Sequence, residues 1–183
     1  MANVALHKDN LVRTAMRLFR RQGYASTGLQ QILTESGAPR GSLYHYFPDG
    51  KQALGEAAVL MASGLIGEML TELAARHRSP ATFLRAYCGV MAGWMEQSGF
   101  DSGCPIATTL LETTPGSPSI TAAGLVAFNG WIDVIAGVLA AGGMKRREAQ
   151  TRAQLIIAAM EGALILARVR QSTRPILDVA KLV

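Results

Sequence analysis

The sequence has few of the residues from which enzymes and secreted domains build their sites. Only two cysteines, Cys88 and Cys104, occur in 183 residues, which excludes a disulfide framework and a cysteine-rich zinc site. The three histidines, His7, His45 and His77, lie on separate elements, and no nucleophile–base pair, phosphate loop or set of metal ligands accompanies them. We therefore expect no catalytic residues, no metal and no cofactor.

Long apolar segments are also missing. No run approaches the ~20 apolar residues of a membrane-spanning helix, and the most apolar stretch, residues 155–167, contains Glu161. Lys8 and Asp9 stand where a signal peptide would have its apolar core. We expect a cytoplasmic protein without a membrane partner. With 49% hydrophobic and 17% charged residues, the chain is too apolar to be disordered.

Acidic side chains are scarce in the first part of the chain. Residues 1–51 carry seven basic and three acidic side chains, a net charge of +4, whereas residues 52–183 carry eleven basic and ten acidic ones. A compact basic end on a nearly neutral, apolar body is typical of a part that binds a polyanion. A solvated basic surface has the same charge, so charge alone does not separate the two alternatives.

Alternating strand patterns are absent, and helical periodicity runs through nearly the whole chain. One face of the first helix is apolar and comprises Leu11, Ala15, Leu18 and Phe19. We predict an all-α fold of about nine helices, in which a three-helix head is joined by a long helix to a helical body. The head covers residues 1–47, and the ligand-binding and dimerisation body covers residues 48–183.

Local signals predict the helix boundaries in the head. Gly23 ends the first helix. Thr27 and Gln30 fit a capping box at the start of the second, in which each side chain satisfies a free backbone N–H. A short third helix runs from Arg40 to about Phe47.

Longer helices follow in the body. The fourth helix runs from Lys51 to about His77, with a predicted buried stripe of Leu54, Ala58, Met61, Leu65, Met69 and Leu73. Ser79-Pro80 and Ser117-Pro118 predict helix starts in which serine is the N-cap and proline takes the first position. A shorter helix covers Pro105 to about Thr113, and another long one covers about Lys145 to Gln171.

The second and third helices, with a glycine-containing turn between them, form a helix-turn-helix unit, whose second helix enters the DNA major groove. Leu43 and Phe47 lie on one side of the third helix and are predicted to pack inward, as is Tyr46 at its edge. A solvated structural face would more often carry Glu, Lys and Ala. The candidates for DNA contact are Arg40, Gly41, Ser42, Tyr44 and His45.

From Thr27 to Lys51 the sequence resembles the DNA-binding signature of the TetR family of bacterial transcriptional regulators. The resemblance rests on Gly37, on the run from Gly41 to Phe47 and on Lys51. It extends back to residues 18–24 of the first helix. Shorter matches that resemble the LmrA/YxaF-like subgroup are Phe47 to Lys51, Gly103 to Pro105 and Leu110 to Glu112.

The resemblance implies a role for each matching residue. Thr27 would cap the second helix and present its N-terminus to a phosphate, because helix N-termini bind anions. Gly28 departs from the Ser or Thr that the family often has there, which implies one phosphate contact fewer. Tyr44 and Lys51 would contact the DNA backbone. Base edges or neighbouring phosphates would be contacted by Arg40, Ser42 and His45.

A single head of this kind buries little surface for tight binding at physiological salt, whereas a dimer reads two half-sites about 34–36 Å apart. Residues 155–167 are apolar on almost every side, so one side can face the chain's own core and the other a second copy. The family also dimerises through its two late helices. We expect a homodimer on a palindromic operator of double-stranded DNA.

The resemblance further implies that the body binds a small molecule, which moves the fourth helix and separates the heads. Aromatic and methionine side chains suit an adaptable apolar pocket, although the same pattern is ordinary for a core. Glu161 and Asp133 are carboxylates in apolar helices and must each be paired, protonated or exposed. We expect a small apolar or aromatic effector, with ligand-binding candidates Tyr87, Met91, Trp94, Cys104, Phe128 and Glu161.

Three classes of protein remain. The first is a ligand-responsive DNA-binding transcriptional regulator, a repressor by family expectation. The second is a DNA-binding dimer without an effector. A cavity of at least ~300 Å³ lined by residues 83–131 would favour the first class, and a fully packed body would favour the second. The third is a helical enzyme, which the missing catalytic groups disfavour.

Overall fold

A computed structural model describes residues 2–183, with side chains from residue 6 onward. Over this range the chain forms nine α-helices, followed by a short 3-10 helix, and no strand. The predicted all-α class and helix number are therefore confirmed. The helices are α1 (Ala2–Gln22), α2 (Leu29–Ser36), α3 (Arg40–Tyr46), α4 (Lys51–Arg76), α5 (Pro80–Gln97), α6 (Pro105–Thr113), α7 (Pro118–Ala141), α8 (Arg146–Arg170) and α9 (Arg174–Asp178).

Most predicted helix ends are confirmed. Gly23 follows α1 with a φ of 89°, in the left-handed region that only glycine adopts at little cost. Ser79 caps α5, because its side chain accepts a hydrogen bond from the Thr82 N–H, and Pro80 takes the first turn. Pro118 likewise begins α7, but the buried Ser117 hydroxyl has no hydrogen-bond partner within the described part of the chain, so the expected serine cap does not form.

The capping box predicted at Thr27 is wrong. The helix α2 begins at Leu29, and its N-cap is Gly28, which has no side chain with which to cap. Thr27 is fully buried, and its hydroxyl donates a 2.7 Å hydrogen bond to the Gly23 carbonyl. The threonine therefore closes the turn between α1 and α2 instead of capping α2.

The chain divides into two compact units. The first comprises residues 1–64 and 105–127, and the second comprises residues 65–104 and 128–183. In the first unit, α1 packs against α2, α3 and α6. Its core is continuous from α1 to α4 and includes Leu11, Phe19, Ile32, Leu43, Phe47 and Leu54. In the second unit, α5 and α8 pack against each other and against α9.

The buried stripe predicted for α4 is correct for Leu54 and Ala58 and wrong beyond them. Further along, Leu65 is 43% exposed, whereas Leu70 is fully buried. Met61, Met69 and Leu73 are half-buried. The residues that α4 buries after Ala58 are Val59, Ala62, Ile66 and Leu70. Two neighbouring rows of this helix are almost equally apolar, so the periodicity could not decide which row faces inward.

Two helices, α4 and α7, are long and apolar enough by length and composition to cross a membrane. This differs from our expectation, because alanine, valine and glycine keep the hydropathy high where no single run is long. Charged residues interrupt both helices, including Glu56 and Glu68 in α4 and Asp133 in α7. Core helices of soluble proteins commonly have the same composition.

Candidate nucleic-acid interface

The short helix α3 separates apolar from polar side chains as predicted. Leu43 and Phe47 are 0% and 3% exposed and belong to the core of the first unit, while Tyr44 is 60% exposed. Arg40 and His45 are also exposed, and Ser42 is half-buried. Tyr46 packs at the edge of the core. The face of α3 opposite the core is therefore polar and accessible, as a helix that enters a DNA groove must be.

Arg40 is held by Gln30, a residue that the sequence did not mark as part of this site. Its guanidinium donates a 2.7 Å hydrogen bond to the Gln30 side-chain oxygen. Gln30 lies on the first turn of α2, where we had assigned it to the capping box. A helix-turn-helix unit brings the starts of α2 and α3 close together. The predicted unit could therefore have indicated the contact between Gln30 and Arg40.

Lys51 begins α4 and reaches back to the turn between α1 and α2. Its ammonium donates a 3.2 Å hydrogen bond to the Ala25 carbonyl and lies 4.5 Å from the centroid of the Tyr24 ring. Partial burial lowers the pKa of Lys51, and the nearby Glu112 carboxylate opposes this effect. The ammonium is thus fixed in direction at the start of α4, beside the basic head.

Glu112 of α6 contacts the same turn from the other side. Its Oε2 accepts a 2.5 Å hydrogen bond from the Ala25 N–H. In the sequence, Glu112 stands out only as part of the subgroup resemblance, and nothing there predicts its contact with Ala25. Charge pattern could not have revealed it, because Glu112 and Ala25 lie 87 residues apart.

The remaining predicted DNA-contact residues are placed as follows. Gly41 is exposed on the first turn of α3, where nothing lies within 4 Å of the position a Cβ would take. Thr27 is buried, so its side chain does not face the surface. A phosphate at α2 would meet the backbone N–H groups that follow Gly28.

In the second unit, three of the predicted ligand-binding residues lie together. The Cys104 thiol donates a hydrogen bond to the Glu161 carboxylate, while burial raises the pKa of Glu161. Burial also raises the pKa of Tyr87, and the negative charge of Glu161 acts in the same direction. Tyr87 is 2% exposed and Cys104 is 6% exposed. A mostly buried acid, phenol and thiol therefore meet in an apolar interior.

The other three candidates are less closely tied to this cluster. Met91 is buried and Trp94 is half-buried, both on α5. Phe128 contacts Trp131 edge-to-face, with ring centroids 5.4 Å apart. Asp133 is exposed and accepts a 3.0 Å hydrogen bond from Gln150, so two of the three outcomes expected for it, exposure and pairing, are found together.

Burial raises the pKa of the Cys88 thiol to about 11, so it is not a thiolate at neutral pH. Among the residues that the structure describes, no group of three His, Cys, Asp or Glu side chains is placed to hold a metal ion.

Two family models together match most of the chain. Residues 11–58 match the model of bacterial regulatory proteins of the tetR family. Residues 80–182 match the C-terminal domain of LmrA/YxaF-like transcriptional regulators. The first match contains the whole polar face of α3, and the second contains the cluster of Tyr87, Cys104 and Glu161.

Relatives of similar length show the same likeness. The chain is 30% identical over 174 residues to the HTH-type transcriptional regulator YxaF of Bacillus subtilis, covering 95% of this chain and 91% of YxaF. It is 29% identical over 173 residues to LmrA of the same organism, covering 94% and 92%. In fold it resembles the regulatory protein TetR from Rhodobacter sphaeroides, with a TM-score of 0.85, 22% identity and 96% of each chain covered.

Proposed function

Because the chain belongs to the TetR family of bacterial regulatory proteins, with a C-terminal domain of the LmrA/YxaF-like type, we propose that this DNA-binding transcriptional regulator is a ligand-responsive repressor. It acts in the cytoplasm as a homodimer, occupies a near-palindromic operator and blocks transcription. A small, largely apolar or aromatic effector binds in the body and releases the dimer from DNA.

The observation that carries the proposal is the division of α3 into a buried and an accessible side. Leu43 and Phe47 anchor the helix in the core, which leaves Arg40, Tyr44 and His45 exposed. Side chains on a rigid helix can enter the major groove in one fixed register, and that register is what sequence readout requires.

Each DNA-contact residue has a proposed role. Arg40 reads a base edge, because its planar guanidinium matches the two acceptors of guanine. Tyr44 and Lys51 contact phosphates, and Ser42 and His45 contact bases or phosphates beside them. Gly41 allows close approach of the backbone. Thr27 acts indirectly, because its buried hydroxyl closes the turn that places the N-terminus of α2 at a phosphate.

The exposed apolar side chains of α8 support the homodimer. Leu155, Ile165 and Val169 are 57%, 63% and 77% exposed. They share one face with Ala158 and Gly162, whose small size permits close packing between helices. In the first unit, Leu125 and Val126 of α7 are likewise 60% and 63% exposed. Accessible aliphatic side chains on a helix face are typical of an interface with a second copy.

The buried cluster supports an effector site in the second unit. Glu161, Cys104 and Tyr87 offer a few polar groups among apolar neighbours, as small-molecule sites do. Met91, Trp94 and Phe128 supply adaptable and aromatic surface nearby in the unit. An effector that binds more tightly to the conformation that cannot bind DNA shifts the protein toward that conformation. The size of the shift is set by the difference in the effector's affinity for the two conformations.

A genome-wide binding map and footprint of the purified protein, repeated with a panel of planar aromatic compounds, test this proposal. We expect a two-fold symmetric footprint, a dimer in sedimentation, and loss of the footprint with at least one compound. A monomer, or a protein that ignores duplex DNA even at low ionic strength, would contradict the repressor. A dimer that no compound releases and whose body is fully packed would favour the regulator without an effector.

A further inference from the structure

The turn between α1 and α2 is held on both sides by residues from distant parts of the chain. The Ala25 N–H donates to Glu112 of α6, and the Ala25 carbonyl accepts from Lys51 of α4. A single backbone residue therefore links a carboxylate on α6 to the ammonium proposed to contact DNA. All three residues belong to the first unit.

The contact made by Glu112 is built into the turn. A Cβ at Gly23 would come closer to Glu112 Oε1 than real Cβ atoms approach other atoms. The left-handed φ of Gly23 also favours glycine. Glycine thus both forms the turn and opens the space that the carboxylate occupies.

Two further contacts make the arrangement stiff at Lys51. The Tyr24 ring lies under the ammonium and also packs against Phe19 of the core, with ring centroids 5.0 Å apart. A free lysine side chain samples many rotamers, and each fixed contact reduces that freedom. A charge-assisted hydrogen bond such as that from the Ala25 N–H to Glu112 is stronger than a neutral one.

We propose that Glu112 is a positioning residue for DNA binding: it anchors the Ala25 amide, and the anchored turn holds the Lys51 ammonium toward a DNA phosphate. This inference rests on the proposed role of Lys51. Glu112 does not touch DNA, and its negative charge by itself would weaken phosphate binding.

Loss of the hydrogen bond to the Ala25 N–H should weaken DNA binding, whereas loss of the negative charge of Glu112 should strengthen it. Two substitutions of Glu112 therefore separate the two effects. Binding of a fluorescent random-sequence duplex is measured against salt concentration for the full-length wild type, Glu112→Ala and Glu112→Gln. We expect Glu112→Ala to bind about five- to tenfold more weakly, the effect of losing one phosphate contact, with a salt slope reduced by about 1. Glu112→Gln keeps an acceptor for the Ala25 N–H and should bind as well as the wild type or better.

Two controls separate this role from a structural one. Glu72→Gln removes the same charge from an exposed pair with Arg76 and should leave binding unchanged. Lys51→Ala combined with Glu112→Ala should bind no more weakly than Lys51→Ala alone, because Glu112 acts through Lys51. Thermal unfolding of every variant should stay within about 4 °C of the wild type.

Each other result has a defined meaning. If the wild type does not bind the duplex, the proposed function fails. If the wild type binds and Glu112→Ala binds equally well or more tightly, the positioning role is overturned. Additive losses in the double variant would also overturn it, because Glu112 would then act independently of Lys51.

Discussion

The helix-turn-helix head and the long helices of the body use apolar residues in different ways. Leu43 within α3 and Phe47 directly after it are buried, whereas the other side chains of α3 are exposed or half-buried, so residue type corresponds to surroundings. In α8, apolar side chains occur on both sides, so that Ile157 is buried while Ile165 is 63% exposed. In α3, chemical type predicts burial. In the body, burial depends on what each helix packs against.

This difference follows from what each part contacts. The head needs one apolar side for its small core and one polar side for a polyanion, so polarity marks the two faces. A body that buries one side of a helix in its own core and the other in a second copy needs apolar residues on both.

The largest effect is expected at the exposed apolar face of α8. Ile165→Asp places an unpaired charge at the proposed interface twice per dimer, which costs more than about 5 kcal/mol in total. Sedimentation should show a monomer, and operator binding should be lost. Leu111→Asp is the matched control, because Leu111 is 80% exposed on α6 and should leave the dimer intact. If Ile165→Asp remains a dimer, the exposed apolar side of α8 does not pack against a second copy, and the proposed reason for its composition is wrong.

Burial in the head should give the next largest effect. Leu43→Ala removes a fully buried side chain and should lower the free energy of unfolding by about 2–5 kcal/mol. Leu65→Ala, at a 43% exposed position of α4, should cost less than about 1 kcal/mol. Urea denaturation compares the two. Equal losses would mean that α4 buries the row of residues that its periodicity predicted.

The polar face of α3 should divide into readout and affinity. Arg40→Ala should remove about 1–3 kcal/mol of discrimination at one or two operator positions, whereas Lys51→Ala should weaken binding to all sequences alike and reduce the salt slope by about 1. Selection from a random duplex library, followed by salt titration, measures both quantities. Unchanged selectivity in Arg40→Ala would remove this residue from base readout.

The smallest effect concerns the buried acid of the body. Burial raises the pKa of Glu161, so the folded protein holds this proton to higher pH than the unfolded chain, and stability falls as the pH rises from the unfolded pKa through the folded one. Glu161→Gln should therefore raise the melting temperature at neutral pH by about 2–4 °C. The gain should shrink below pH ~4.5, where both states are protonated.

Asp133→Asn is the control for this substitution, because Asp133 is exposed and its hydrogen bond from Gln150 needs only an amide oxygen. It should leave the melting temperature at neutral pH unchanged. A stabilisation of the Glu161 variant that persists at low pH would show that packing, and not ionisation, is responsible.

Much of the candidate site could be predicted from the sequence. The buried positions of Leu43 and Phe47 follow from their spacing of four residues, and the exposure of Arg40, Tyr44 and His45 follows from the same geometry. The contact between Gln30 and Arg40 and that between Glu112 and Ala25 could not be predicted, because neither depends on local spacing. The capping box failed because α2 begins later than predicted, with Gly28 as its N-cap, and the buried Thr27 side chain belongs to the preceding turn, where its hydroxyl donates to the Gly23 carbonyl.

The helical class, most helix ends and the two faces of α3 could be predicted from the sequence, since these depend on residues within a few positions of one another and on polarity that differs sharply between faces. The row of apolar residues that α4 buries, and the distant carboxylate that holds the turn beside Lys51, became known only from the folded chain. Packing selects among faces of equal hydrophobicity, and contacts between residues far apart in the chain leave no periodic signal in it.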